Sequence, residues 1–252
     1  MLLIRSLLFS VVFYVNTAVF LILGSWLLFA PRSWAMAGLK AHARASLFWM
    51  LLICGTRLEV RGRENLPDRP FLIASKHQSA WDTFALIPVF EDPALVMKAE
   101  LMKLPLYGWF STKFGMIPIK RETGPSALRE MLREAQARLD DRREILVFPE
   151  GTRRLAGAEP DYKTGILMMY DKLGVPCVPV ALNSGLFWPR NSQLRNSDTI
   201  VLEILPPIPA GLKRKEFAER LQATIEPATA ALVGEAIAKN PALTAHTAKT
   251  TT

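Results

Sequence analysis

Residues 72–87 read "LIASKHQSAWDTFALI". The apolar run ends at Ala74 and a second apolar stretch begins beyond Ser79, so the segment reads as a strand, a loop and a helix. Ser79 suits an N-cap, and Asp82 three positions later has the spacing of a capping box. Asp82 is then on the first helical turn and points back toward the loop holding His77. A gap of five residues becomes a contact: the carboxylate accepts a hydrogen bond from one ring nitrogen, leaving the other as an acceptor. That geometry is an oriented general base. It sits at the C-terminal end of a strand, where open α/β sheets bind ligands. Taken alone, the pair also fits an ordinary loop histidine beside a helix cap.

Outward from this unit, short β-like runs recur: "RLEVRG" (57–62), "RPFLIAS" (69–75), "DPALVMKA" (92–99), "GMIPIKR" (115–121), "REILVFPEGTR" (143–153), "VPCVPVAL" (175–182) and "TIVLEIL" (199–205). Helical stretches separate them. In residues 125–140, Leu128, Met131, Leu132, Ala135 and Leu139 fall at helical spacing, and Pro125 suits the first turn. Residues 213–233 read as a closing amphipathic helix. The alternation predicts an α/β fold: a mixed, largely parallel sheet flanked by helices.

The N-terminus is of another kind. Residues 7–29 carry no charge. As a helix they extend about 34 Å, enough for a bilayer core. Arg5 and Arg32 bracket the run, and Trp26 and Trp34 suit a membrane interface. A cleaved signal peptide is the rival reading, with Ala35-Met36-Ala37 as its cleavage site, but the apolar run is long for one. "SLFWMLLICG" (46–55) is short for a span and reads as an interfacial or re-entrant helix or a hairpin partner. The expected organisation is therefore a membrane-anchoring helical segment (1–54), one α/β domain (55–235) and a polar, disordered tail (236–252) that includes His246. Cys54 and Cys177 stand in apolar surroundings with no metal spacing, as buried thiols suited to a reducing cytoplasm. With 31 Lys+Arg against 23 Asp+Glu, the surface favours phosphate groups. The basic residues are dispersed and no stacking-aromatic motif interleaves with them, which speaks against nucleic acid.

Three further stretches bear on chemistry. "FPEGTRR" (148–154) puts Glu150 and Arg153 in a loop at a strand's end, with Gly151 allowing a tight turn; the forked donors of Arg suit a phosphate, and a surface salt bridge is the plainer reading. "GMIPIKRE" (115–122) places Lys120 and Arg121 at the end of an apolar run, where a charge pair is often simply solvated. "VPCVPVALNSG" (175–185) is an apolar wall, either core or a groove for a greasy ligand.

The order H-x-x-x-x-D, G-x-I-x-I-x-R, F-P-E-G-T-R, V-P-V resembles the glycerolipid acyltransferase family, most closely its 1-acyl-sn-glycerol-3-phosphate acyltransferases. The match runs from about Arg57 to Asn183 and takes in "KAELMKLPLYGWFSTKFGMIPIKR" (98–121) and "YKTGI" (162–166). The resemblance implies that His77 takes the proton from an acceptor's sn-2 hydroxyl and that Asp82 orients it. It further implies that Arg121 and Arg153 hold the acceptor phosphate, that Glu150, Gly151 and Thr152 shape that loop, that Lys163 adds charge, and that residues 178–182 lie near the acyl groups. Two positions depart from the family's habit: Lys76 where Asn is common, and Lys120 where Asp is common, the latter adding charge for an anionic headgroup.

The implied reaction moves a fatty acyl group from a thioester, acyl-CoA or acyl carrier protein, to lysophosphatidic acid at an anionic membrane, on its cytoplasmic side, with no metal or other cofactor. The nucleophile elbow G-x-S-x-G and the zinc motif H-E-x-x-H are both missing from the sequence. Two other readings remain: another lyso-lipid acceptor, such as a lyso-ornithine lipid, and a non-catalytic lipid-binding protein, which the His77/Asp82 pair opposes.

Overall fold

The computed structural model describes residues 1–120 and 124–248. The chain begins with an antiparallel helical hairpin, α1 (Leu2–Leu23) and α2 (Arg32–Cys54). The uncharged run of 7–29 is thus not one helix. It stops at Gly24, where a Cβ would lie 2.4 Å from the Phe20 carbonyl oxygen, and a short 3-10 turn (Ser25–Leu28) leads to Pro31, the N-cap of α2. The stretch 46–55 is the end of α2 and pairs with α1 as a hairpin partner. Lys40, His42 and Arg44 lie inside α2. Ala35 and Met36 are buried in its first turns.

Polar groups of the hairpin face each other. The Asn16 amide donates to Ser46 Oγ at 3.0 Å, Thr17 Oγ1 lies 3.1 Å from His42 Nε2, and Arg5 Nε donates to the Ile53 carbonyl at 2.6 Å. One flank of α1 packs on the α/β domain through Phe9 and Phe13, whose rings meet Trp188 at 5.5 and 5.7 Å. The other flank exposes Ile4, Leu8, Val11, Val15 and Val19. Among the described residues, α1 is the one helix long and apolar enough to cross a membrane.

The described residues form a seven-stranded sheet: β1 (Thr56–Arg61), β2 (Leu72–Ser75), β3 (Ala94–Lys98), β4 (Ile117–Ile119), β5 (Ile145–Val147), β6 (Cys177–Leu182) and β7 (Asp198–Ile204). Their order is β1-β7-β6-β2-β5-β3-β4. Every pairing is parallel except β6 with β7, so the expected mixed, largely parallel sheet is what is found.

Both faces of the sheet are covered at β2, β5 and β6, which is why these strands read as apolar runs, whereas the edge strand β1 alternates. Side chains alternate sides along β2. Leu72 and Ala74 face α5 (Gly124–Asp140), α6 (Thr164–Leu173) and α8 (Arg214–Lys239), packing with Met131, Met169 and Phe217. Phe71 and Ile73 face the hairpin side with Met36 and Phe110, the latter on α4 (Tyr107–Lys113). Cys54 and Cys177 are buried and unpaired.

Residues 236–248 are ordered, unlike the tail expected of their polar composition, and 249–252 lie outside the described residues. α8 continues to Lys239, a 3-10 turn spans Pro241–His246, and Leu243 is buried. The Ala248 N–H then donates to the Ala156 carbonyl at 2.8 Å. Ala236, Ile237 and Leu243 pack on the core and one strand-like bridge follows, contacts too few and too spread to give a periodic signal.

Candidate active site

β2 and β5 are adjacent and parallel, with Ala74 opposite Val147. Three residues beyond each lie His77 and Glu150, so the register carries the two motif loops side by side. They are stitched together: the His77 N–H donates to Glu150 Oε2 at 2.9 Å, and the Arg154 N–H donates to the His77 carbonyl at 2.8 Å. The Phe148 ring stacks on the imidazole, with centroids 4.0 Å apart and planes 14° apart.

His77 Nδ1 stands 3.0 Å from Asp82 Oδ2. The helix α3 (Asp82–Ala85) starts one turn later than expected, because Ser79 Oγ accepts from Trp81 N–H at 3.1 Å instead of capping a longer helix. The reverse half of the capping box persists: Asp82 Oδ2 accepts from the N–H groups of Ser79 and Gln78, both at 2.8 Å. Asp82 Oδ1 accepts from Ser184 Oγ at 2.6 Å. The carboxylate is wholly buried and an acceptor in all four contacts, so Nδ1 carries the ring proton and Nε2 is left with a lone pair. The His77 side chain is 12% exposed, enough to meet a docked hydroxyl.

The remaining candidates divide. Arg153 is half-buried in the loop after β5, and no carboxylate pairs with it among the described residues. Its carbonyl is held by Arg190 at 2.7 Å. Gly151 has φ +64° and makes the turn that reverses this loop, while Thr152 is half-buried beside it.

Glu150 does not face the groove. It is fully buried, and its Oε1 lies 2.6 Å from the Lys76 ammonium. Burial pushes its carboxyl up from the ordinary value, opposed by Lys76 and by the His77 N–H. Lys163 is the N-cap of α6 and is drawn to Asp161 at 2.6 Å, a carboxylate that Arg154 also meets at 2.8 Å. Lys120 is exposed beyond β4, three strands from β2 and thus about 14 Å away. Arg121 lies outside the described residues. Residues 178–182 belong to β6 and are buried between β2 and β7, so they form core rather than an open groove wall.

Sequence reasoning missed Ser184, on α7 (Ser184–Phe187). It also gave no role to Phe148 or Lys76. Ser184 is 102 residues from Asp82, and no local spacing signals the contact.

The chain is 35% identical over 163 residues to 1-acyl-sn-glycerol-3-phosphate acyltransferase of Pseudomonas aeruginosa, covering 65% of this chain and 63% of that protein. It is 30% identical over 169 residues to human 1-acyl-sn-glycerol-3-phosphate acyltransferase alpha, covering 66% of this chain and 60% of the relative. The chain thus spans under two thirds of each relative's length. The crystal structure of the 1-acyl-sn-glycerophosphate (LPA) acyltransferase PlsC from Thermotoga maritima shares the fold, with a TM-score of 0.78 at 24% identity, covering 92% of this chain and 98% of that one. The Acyltransferase family model matches residues 57–183, just over half of the chain and the segment that carries His77, Asp82 and the loop of Arg153; this chain belongs to that family.

Proposed function

We propose that this chain is a membrane-bound acyltransferase that moves a fatty acyl group from a thioester donor to the sn-2 hydroxyl of lysophosphatidic acid, giving phosphatidic acid. The observation that carries the reading is the His77–Asp82 contact at 3.0 Å in the loop next to that of the half-buried Arg153. The acceptor hydroxyl approaches His77 Nε2 and loses its proton there as its oxygen attacks the thioester carbonyl. The C–S bond then breaks, and the thiolate of coenzyme A or acyl carrier protein recovers the proton from the imidazolium. The thioester is already activated, so no enzyme nucleophile is required. Arg153 engages the acceptor phosphate through its forked donors, and Arg121 is assigned the same task.

The names of the relatives support the acceptor, and the exposed apolar flank of α1 supports the membrane. Two buried free thiols are in keeping with a catalytic domain on the cytoplasmic side. The decisive experiment supplies purified protein with lysophosphatidic acid or lyso-ornithine lipid, and with acyl-CoA or acyl-loaded carrier protein. Transfer to lysophosphatidic acid that disappears in His77→Ala is the expected result. Transfer to lyso-ornithine lipid alone overturns the acceptor, and transfer to neither overturns the reading.

A further inference from the structure

Lys76 directly precedes the general base, and its side chain is 2% exposed. Its ammonium meets Glu150 Oε1 at 2.6 Å and both oxygens of Glu226 at 2.8 and 2.9 Å. Glu226 lies on α8, beyond the segment that the family model matches, and accepts a hydrogen bond from the Tyr162 hydroxyl at 2.7 Å. One carboxylate would suffice to neutralise a buried ammonium. The second, Glu150, has its other oxygen committed to the His77 N–H. A continuous polar chain therefore runs from α8 through Glu226, Lys76 and Glu150 to the backbone of the catalytic histidine.

We propose that Lys76, Glu226 and Tyr162 form a buried positioning clamp that aims Glu150 at the His77 backbone, so that the C-terminal helix sets the placement of the general base. This rests on the acyl-transfer reading. Without the ammonium, Glu150 and Glu226 confront each other as like charges. Glu150, whose carboxyl burial already pushes upward, then takes a proton or turns aside, and either change weakens its hold on the His77 N–H. On the other side of His77, its carbonyl accepts from the Arg154 N–H and the following Gln78 N–H donates to Asp82. A small drift of Nε2 lowers the rate of proton transfer but leaves Arg153, and with it acceptor binding, in place.

The test measures kcat and KM for lysophosphatidic acid with a long-chain acyl-CoA in detergent micelles, together with circular dichroism melts, for the full chain and its variants. Wild type transfers and His77→Ala does not. Lys76→Met is expected to lower kcat at least about tenfold with KM within about twofold. Glu150→Gln, whose amide oxygen still accepts from the His77 N–H, retains several-fold more kcat than Glu150→Ala. Folded Lys76→Met with wild-type kcat overturns the clamp, as does a rise in KM at constant kcat, which would place the cluster in acceptor binding. Should Lys76→Met not fold, Glu226→Gln on the partly exposed α8 decides: a kcat reduced about two- to fivefold supports the clamp and an unchanged one overturns it. A wild-type chain without transfer overturns the acyl-transfer reading and the clamp with it. Transfer lost in His77→Ala but indifferent to Lys76 and Glu226 overturns the clamp alone.

Discussion

Ser184 Oγ donates a 2.6 Å hydrogen bond to Asp82 Oδ1, tying the start of α7, just past β6, to the first turn after the His77 loop. Asp82 thereby has one oxygen for His77 and the loop and the other for the sheet, so the imidazole is braced from two directions. Ser184→Ala leaves Oδ1 buried without this partner, a loss of about 1–3 kcal/mol. The expected signature is a lower melting temperature with kcat reduced roughly three- to tenfold and KM little changed. Wild-type kinetics in a folded variant would show that the backbone contacts of Asp82 suffice.

His77→Ala should abolish transfer while fold and membrane association persist. An alcohol is a poor nucleophile at neutral pH, and a positioned base contributes about 10²–10⁴-fold. His42 is locked in the hairpin against Thr17, and His246 lies in the terminal 3-10 turn, so neither can substitute. Near-normal turnover in the folded variant removes His77 from the base role.

Arg153→Ala should raise KM for lysophosphatidic acid with little change for the acyl donor. A charge-assisted contact is worth about 1.5–3 kcal/mol, or roughly ten- to a hundredfold in kcat/KM. Arg153→Lys restores only part, because the fork is lost. Unaltered acceptor kinetics would assign the phosphate elsewhere.

Asp92 joins the hairpin to the sheet. It accepts two bonds from Arg32 of α2 at 2.9 and 2.7 Å and lies 3.3 Å from the buried Arg143. Burial alone would raise its carboxyl, but Arg32, Arg143 and Lys40 outweigh burial and hold it below the ordinary value of 3.8. A depressed native pKa contributes stability that is full above the unfolded value and lost as pH falls through the native one. Asp92→Asn should therefore cost about 1.5–3 kcal/mol near pH 7. The gap to wild type should close below about pH 4, as read by denaturant melts. A gap that stays constant with pH would mean the loss comes from packing.

Leu8→Asp with Val15→Asp should release the protein from vesicles. Both residues lie on the exposed flank of α1, and a buried aspartate costs about 2.5–3.5 kcal/mol at a helix centre in a bilayer. Flotation with anionic vesicles reads the result, and undiminished binding places the membrane contact on another surface.

The pair His77 and Asp82 was legible in the sequence because a loop and one helical turn are all that separate them, and local backbone geometry settles such a contact. The seven strands were legible too, the inner ones as continuous apolar runs because both their faces are buried, and β1 as an alternation because it is a half-exposed edge. Three things belonged to the tertiary structure alone. Strand order put β5 beside β2, which brought Glu150 and Arg154 onto the backbone of His77 from more than seventy residues away. β6, read as either core or a groove wall, is the interior of the sheet, and the turn after it delivered Ser184 to Asp82. The run of 7–29 broke at Gly24, so that a hairpin formed and packed through Phe9 and Phe13. Local pattern records which residues must leave water and how often. Which distant residues they meet depends on strand order and packing, and these are chosen by the free energy of the whole core, to which no single stretch of sequence has access.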